Sequence, residues 1–387
     1  MNSAERREAR YQRRKAKREE MKRKRNEGHD FQTVSEFGSL RKAFYQARKG
    51  TNWKASVQNY GCNVLRNSYT YSQKMRKHQK ISKGFIEFDL CERGKKRHIS
   101  SVHITERVVQ KSVCNFGLAP IISKSLVYEN GASIKGKGTG FSEELLVKQL
   151  RKHYRKSGFK NSGYIVLGDG HDFFASLKHE VVYKNLCKMI TDTELVNQTM
   201  DFINAFDKGL GLGSEVCQIN AVAYSNDIDH CIKDGMGYLF NKYMDDWYVI
   251  VDTKEEADKV LELVTRMYAE LGISMNENKT QKVKLSHRFT WLQTRYYLTE
   301  TGKVIRKPSR KKITRDRRKL KKIAALCKEG KATYNAAVSV YVSFNGYMKG
   351  KHAYWTKKNM EKLFHDLFIN EFIKGGQDNY EQIFATQ

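Results

Sequence analysis

The sequence predicts an α+β protein, an antiparallel sheet with helices packed on one face. Three observations predict it. Tyr238-Leu239-Phe240 and Tyr248-Val249-Ile250-Val251 are short apolar, aromatic or β-branched runs flanking Tyr243-Met244-Asp245-Asp246, the pattern of a hairpin. Tyr164-Ile165-Val166-Leu167 is a continuous apolar run closing on Gly168-Asp169, as a buried strand does. Residues 255–271 carry Ala257, Val260, Leu261, Val264, Tyr268 and Leu271 at helical spacing before Gly272, so an amphipathic helix ends there. This order would bring Asp169 and Asp245 onto neighbouring strands, although they are far apart in the chain.

Length and charge narrow the function. The 387 residues are 40% hydrophobic, enough for two or three subdomains. Lys and Arg number 72 against 42 acids, a net charge of +30. Such an excess repels itself unless a polyanion offsets it, so nucleic acid is the expected partner. No long apolar run or lipidation motif points to a membrane. Residues 1–28 have no apolar core for a signal peptide. Seven cysteines occur without a CxxC pair, so free thiols in a reducing cytoplasm are expected, without zinc.

Along the chain, residues 1–28 hold 12 Lys/Arg and 5 Glu, a charged helix or arm, either nucleic-acid-binding or merely solubilising. Residues 30–80 read as mostly helical. Phe85 to Leu90 alternates like a strand, Glu92-Arg93-Gly94-Lys95 turns, and Arg97 to Val102 returns. That hairpin presents Lys95, Lys96 and Arg97, either a phosphate clamp or an exposed basic tip. Residues 105–118 read as a helix with Thr105 as its cap. Residues 133–140 are Gly- and Lys-rich but lack Walker A spacing, so no ATPase is inferred. Helices are expected over 177–190 and 218–233, the second led in by Gly209-Leu210-Gly211-Leu212-Gly213-Ser214. Those glycines would let backbone approach a base or phosphate closely. Residues 303–328 contain 13 Lys/Arg and one acid, Asp316. They read as a basic helix with a stripe of Ile313, Leu320, Ile323 and Leu326. Two more helices, over 334–348 and 359–373, would complete a small bundle that grips a duplex backbone without reading its sequence.

The paired carboxylates carry the chemistry. Two aspartates at a buried hairpin tip repel each other and need a compensating cation. Hard carboxylate oxygens suit Mg²⁺. The alternative is a solvated Asp-Asp turn. Asp169 at a strand end is either a further ligand or a helix cap.

From about Gly84 to Lys312 these segments resemble, in order, the reverse transcriptases, specifically the bacterial kind without an attached nuclease. Residues 169–177 resemble the family's first catalytic motif, and 211–218 its template and nucleotide loop. Tyr243-Met244-Asp245-Asp246 is its signature. Residues 271–280 resemble the motif whose lysine approaches the triphosphate, and Phe289-Thr290-Trp291-Leu292-Gln293 the primer-gripping turn. The resemblance implies a right-hand polymerase fold with fingers, a ferredoxin-like palm and a helical thumb. The divisions would be a basic arm at 1–28, N-terminal helices and fingers at 29–163, a palm at 164–300 with a fingers-side helical insertion near 177–210, and a basic helical thumb at 301–387.

The resemblance assigns Asp169, Asp245 and Asp246 to two metal ions, Mg²⁺ or alternatively Mn²⁺. In a two-metal site about 3.5–4 Å across, these activate the primer 3′-hydroxyl and stabilise pyrophosphate. Lys279 would be a general acid toward pyrophosphate. Lys96 and Arg97 would clamp the triphosphate, and Leu212, Gly213 and Gln218 would line the nucleotide loop. Phe174 would exclude a 2′-hydroxyl and so favour dNTPs, with Phe173 packing elsewhere. Implied partners are a non-coding RNA template, a DNA or RNA primer and dNTPs, with an accessory protein or homo-oligomer left open. Departures are Leu212 for a glutamine, Cys217-Gln218 for Ser-Pro, and Gln293 for the primer-grip glycine. The candidate roles are a diversity-generating, defence or retron-like enzyme, or a catalytically silent binding protein on the same scaffold.

Overall fold

The computed structural model describes residues 2–92 and 94–369. Arg93 of the expected turn, the side chain of Lys95, and residues 370–387 with the end of the last expected helix lie outside the described residues. The chain forms two compact units, Met1–Leu146 with Val166–Gln281, and Val147–Ile165 with Lys282–Gln387.

The first unit opens with α1 (Ser3–Asn26) and a helical group, α2 (Phe31–Ser35), α3 (Phe37–Ala47), α4 (Ala55–Cys62) and α5 (Val64–Arg76). The hairpin of β1 (Phe85–Glu92) and β2 (Lys95–Val102) follows, paired from Phe85↔Val102 to Glu92↔Lys95. The next helix, α6 (Ile104–Ser112), starts one residue before the expected Thr105 cap. His103 is the cap, its Nδ1 accepting from Thr105 N–H at 3.3 Å. The helix also does not run evenly to 118. It widens to a π-turn over Val113–Leu118, and α7 (Ala119–Ser125) follows with Pro120 in its first turn. Proline has no N–H to give the carbonyl four residues back, so regular α spacing fails there.

Three elements straddle the units, α8 (Thr139–Lys156), β3 (Tyr164–Gly168) and, further on, β6 (Gln281–Lys284). Then come α9 (Phe173–Ser176), α10 (His179–Met189), α11 (Thr193–Ile203), α12 (Glu215–Ala223), α13 (Asn226–His230), β4 (Leu239–Tyr243), β5 (Asp246–Val251) and α14 (Lys254–Glu270). The expected 218–233 helix begins at Glu215 instead, because Ser214 Oγ caps it by accepting from Cys217 N–H at 3.3 Å, and it breaks before α13. In the sheet, β5 lies between β4 and β3. Val166, Tyr248, Val249 and Ile250 are buried, and α14 contributes Ala257, Val260, Val264 and Tyr268. The 3.6-residue period read from the sequence is thus the packing face.

One glycine is fixed by its neighbour. A Cβ on Gly168 would sit 2.2 Å from the Trp247 ring. Trp247 is buried on β5 and stacks on Tyr268 at 6.3 Å. The strand end that carries Asp169 is therefore pressed against an indole that cannot retreat.

The second unit holds β6 (Gln281–Lys284) from Lys282 onward, a meander of β7 (Phe289–Trp291), β8 (Thr294–Leu298) and β9 (Val304–Pro308), and then α15 (Arg310–Lys328), α16 (Tyr334–Met348) and α17 (Tyr354–Phe364). Residues 304–308 are a strand, not the start of the basic helix. Val304 and Ile305 are β-branched, and Pro308 cannot continue a helix. Ser309 caps α15. Of the expected stripe only Leu320 is fully buried, joined by Asp316 and Ala324. Leu320, Phe344, Met348, Met360 and Phe364 form the bundle core, while Lys311, Arg317, Arg318, Lys319 and Lys321 are exposed.

Between β7 and β8, Leu292 and Gln293 both take positive φ, 45° and 65°, as a two-residue turn with two left-handed positions demands. Three bonds offset the cost of a non-glycine there. Gln293 O accepts from Tyr347 OH (2.6 Å) and Ser309 N–H (3.0 Å), and Gln293 Oε1 accepts from Arg315 (3.1 Å).

Gly168→Ala should lower stability by about 1–3 kcal/mol through overpacking, measured by denaturant unfolding. An unchanged midpoint would contradict the close approach of Trp247.

Candidate active site

The hairpin tip is tight. Tyr243 pairs with Asp246, which leaves Met244 and Asp245 as a two-residue loop. Met244 has φ 59°, the positive first position of a II′-type turn. On the adjacent strand, Asp169 follows β3. The loop after it is pinned by Asn276 N–H to Asp169 O (2.8 Å) and His171 N–H to Ser274 O (2.8 Å). Asp169 is not a helix cap; Asp172 occupies that position for α9. The result is a cluster of Asp169, Asp245 and Asp246 in which one carboxylate oxygen from each lies within 4.8 Å of the other two.

Cations and donors surround Asp169. Lys279 Nζ lies 2.7 Å from both of its carboxylate oxygens, and Asn276 Nδ2 donates to Oδ2 at 3.1 Å. Burial would lower the Lys279 ammonium, but the hydrogen bond and charge of Asp169 hold it above its ordinary range. Burial, then the Asp169 charge, raise the Asp245 carboxyl, against Lys279 and Arg97. Asp246 is pushed up to about 7, first by burial and then by Asp245 and Asp169. The donor set is all carboxylate oxygen and short of positive charge, which fits a hard divalent ion.

A cavity of about 710 Å³ opens at the tip, reaching Met244 and Asp245. Phe174, Leu212, Gly213, Gln218 and Arg97 line it. Phe173 is the packed member of its pair, 4% exposed, and Phe174 faces the cavity. Gln218 Nε2 donates to Ser133 Oγ at 3.0 Å. Cys217 is buried, and burial pushes its thiol up to about 11. The Gly213 approach is to protein: a Cβ would meet Ser100 O at 2.7 Å, with φ 115°. Leu212 O accepts from Ser100 N–H at 3.0 Å, so the loop is bonded to β2.

Strand alternation separates the two expected clamp residues. Arg97 and Ile99 line the cavity. Lys96 lies on the other face, 2.8 Å from Asp89, with His98 beside it, and it does not line the cavity. Successive side chains of a strand point to opposite faces, so one hairpin edge cannot present both. Sequence reasoning missed other wall residues: Lys49 after α3, and Arg107 and Lys111 on α6. Lys111 pairs with Glu215 at 2.7 Å, and Arg107 donates to Ser101 Oγ at 3.2 Å. Nothing in their local spacing marks them.

Behind the tip, Lys242 of β4 is fully buried with Asp229, Nζ to Oδ2 3.2 Å, and also bonds Ser225 Oγ. Burial raises the Asp229 carboxyl even so. Ser225 Oγ lies 3.4 Å from Tyr268 OH, which connects the pair to the Trp247–Tyr268 stack.

Three clustered carboxylates lie at the tip of a strand hairpin, beside a cavity edged by arginine and lysine, on an α+β right-hand polymerase fold. The chain matches the family described as reverse transcriptase (RNA-dependent DNA polymerase) over residues 73–296, more than half its length. The protein belongs to the reverse transcriptase family, whose members are RNA-directed DNA polymerases. No protein of curated function matches the sequence. Among solved structures it is similar to telomerase from Candida albicans in complex with the TWJ fragment of telomeric RNA, at 13% identity, TM-score 0.49, covering 83% of this chain and 66% of that one. It is also similar to apo telomerase from Candida tropicalis, at 12% identity, TM-score 0.49, covering 81% and 62%. A form of the latter truncated from its C-terminal domain aligns at 12% identity, TM-score 0.47, over 58% and 55%. The chain thus spans between 55% and 66% of those telomerases. Likenesses this distant say nothing about its template or partners.

Two outcomes are expected. Carboxyls held above their usual range keep protons that the unfolded chain has released. Metal-free stability therefore falls as pH rises from about 4 toward 7, and divalent-ion binding tightens over that span. The melting-temperature gain from Mg²⁺ should be larger near pH 8 than near pH 6, and Asp246→Asn should flatten the difference. Lys242→Met should cost about 3–5 kcal/mol by leaving Asp229 buried alone; adding Asp229→Leu should restore much of it in a denaturant titration.

Proposed function

We propose that the protein is an active RNA-directed DNA polymerase that makes cDNA from dNTPs on a dedicated non-coding RNA template. The observation that carries this reading is the cluster of Asp169, Asp245 and Asp246 opening onto the cavity that holds Phe174 and Arg97. Asp169, Asp245 and Asp246 would hold Mg²⁺ or Mn²⁺, two ions in all. The bound metals supply charge neutralisation of the transferring phosphate and a more acidic primer hydroxyl. The residues do the rest. Arg97 meets triphosphate oxygens from the hairpin, while Lys96, paired with Asp89 on the opposite face, takes no part in that contact. Lys279, now paired with Asp169, turns to donate a proton toward pyrophosphate. Phe174 stands against the sugar, Gly213 with Leu212 shapes the base slot, and Gln218 braces the loop through Ser133.

The functional divisions we assign are the basic arm at 1–28, fingers at 29–163, palm at 164–300 with its insertion near 177–210, and thumb at 301–387. The resemblance of the motifs to bacterial reverse transcriptases supports a role in antiphage defence or in a diversity-generating or retron-type element. An RNA partner is supported by the net charge of +30. Among the described residues no helix is long and apolar enough to cross a membrane. A catalytically silent binding protein is the second reading; the intact carboxylate cluster argues against it.

The test is primer extension on RNA with Mg²⁺ and dNTPs. Wild type should extend, and Asp245→Ala should fall by roughly 10²–10³-fold or more. No product from wild type would overturn the reading. Phe174→Ala should admit rNTPs about tenfold better relative to dNTPs, scored by single-nucleotide insertion, whereas Phe173→Ala should chiefly cost stability, about 3–5 kcal/mol.

A further inference from the structure

The second unit carries an exposed aromatic pair that neither the bundle core nor the carboxylate site uses. Tyr354 is 65% exposed and Trp355 74%, at the start of α17, with ring centroids 5.3 Å apart and planes at 78°. Large aromatic surface left in water is costly unless something covers it. Elsewhere this bundle buries its rings: Tyr341 stacks on Phe364 at 4.5 Å, and Phe364 meets Phe368.

The surroundings select the partner. The segment from Asn345 to Lys358 contains Lys349, Lys351, Lys357, Lys358 and His352 and no acid. A concavity of about 840 Å³ lies between Met348, Gly350, His352 and the two rings, a volume in the range of small-ligand pockets. No side chain caps the first turn of α17, so its leading N–H groups lie beside the rings as anion donors. The approach is rigid. Lys351 lies over the Tyr347 ring at 4.1 Å, and Tyr347 OH is bonded to the Gln293 carbonyl. Flat rings, lysines and helix N–H groups together match a stacked base and its phosphate, whereas an acidic protein surface would need no rings.

We propose that Tyr354 and Trp355 form a stacking platform for unpaired bases of a single strand, with Lys349, Lys357 and the α17 N-terminus holding its backbone. A single strand offers base faces that a duplex hides, and base–aromatic stacking is tolerant of sequence. This deepens the proposed function, since it rests on the protein binding nucleic acid, but it does not require polymerisation.

Tryptophan fluorescence tests it. Trp247 and Trp291 are buried, and Trp53 is 75% exposed. In full-length Trp53→Phe protein, Trp355 is thus the exposed indole. Oligo(dT) and oligo(U) should quench it, and a blunt duplex of equal charge should quench it far less. Tyr354→Ala/Trp355→Ala should weaken single-strand binding, read by anisotropy, about tenfold or more, with an unchanged melting temperature and unchanged duplex affinity. Trp355→Phe should retain most of the binding. Equal quenching by duplex, or equal single-strand affinity in the double alanine variant, overturns the platform. So does binding of the pair to a protein partner that single strands fail to displace. Quenching in a protein that extends no primer would sink the polymerase and leave the platform standing; extension without quenching would do the reverse.

Discussion

Repulsion among three carboxylates is the constraint on which the rest of this structure depends. One carboxylate oxygen from each of Asp169, Asp245 and Asp246 is held within 4.8 Å of the others, partly out of water, where like charges cannot all be ionised without a cation. Burial and mutual charge raise Asp245 and Asp246, and the Lys279 ammonium sits 2.7 Å from Asp169. The cluster is therefore a standing demand for positive charge. Phosphoryl transfer needs such a place, because its catalysis is mainly positioning and neutralisation.

The fold serves that demand by rigidity. Asp245 is aimed by a two-residue turn with a left-handed Met244, and Asp169 by a strand end pressed on Trp247. Trp247 leans on Tyr268, whose hydroxyl reaches Ser225 and thence the buried Lys242–Asp229 pair. A buried ion pair is a poor source of net stability, but it is unforgiving of misplacement. Its position one residue before Tyr243 ties the hairpin to α13. On the other side, the backbone bond between Ser100 and Leu212 joins the β1–β2 hairpin to the glycine-rich loop at 209–214. Arg97 and the loop therefore face one cavity as a unit.

Much of the candidate site was legible in the chain because it is local. The tetrapeptide between two apolar runs, the strand ending in Asp169 and the helical period of α14 are short-range patterns, and the structure brings the three aspartates together. Other features are pairings across distance. Phe173 and Phe174 are equivalent as letters; only packing decides that the first is buried. Lys49 reaches the cavity from the segment after α3, and Arg107 and Lys111 from α6, and no spacing links them to the aspartates. The start of α6 went to His103 because its ring nitrogen could accept from Thr105, a competition between neighbouring caps that composition does not rank.

The amino-acid order by itself determined the two strand runs beside the aspartates, the helical period of α14, the acidic cluster's membership and the cationic character, since each follows from periodicity, residue chemistry and charge; it did not place the breaks at Pro120 and before α13 or the strand at Val304–Pro308. Tertiary structure alone decided which side chains share a wall. It turned Lys96 toward Asp89 and Arg97 toward the carboxylates, although the two are adjacent, because a strand's faces acquire meaning only when something packs on one of them.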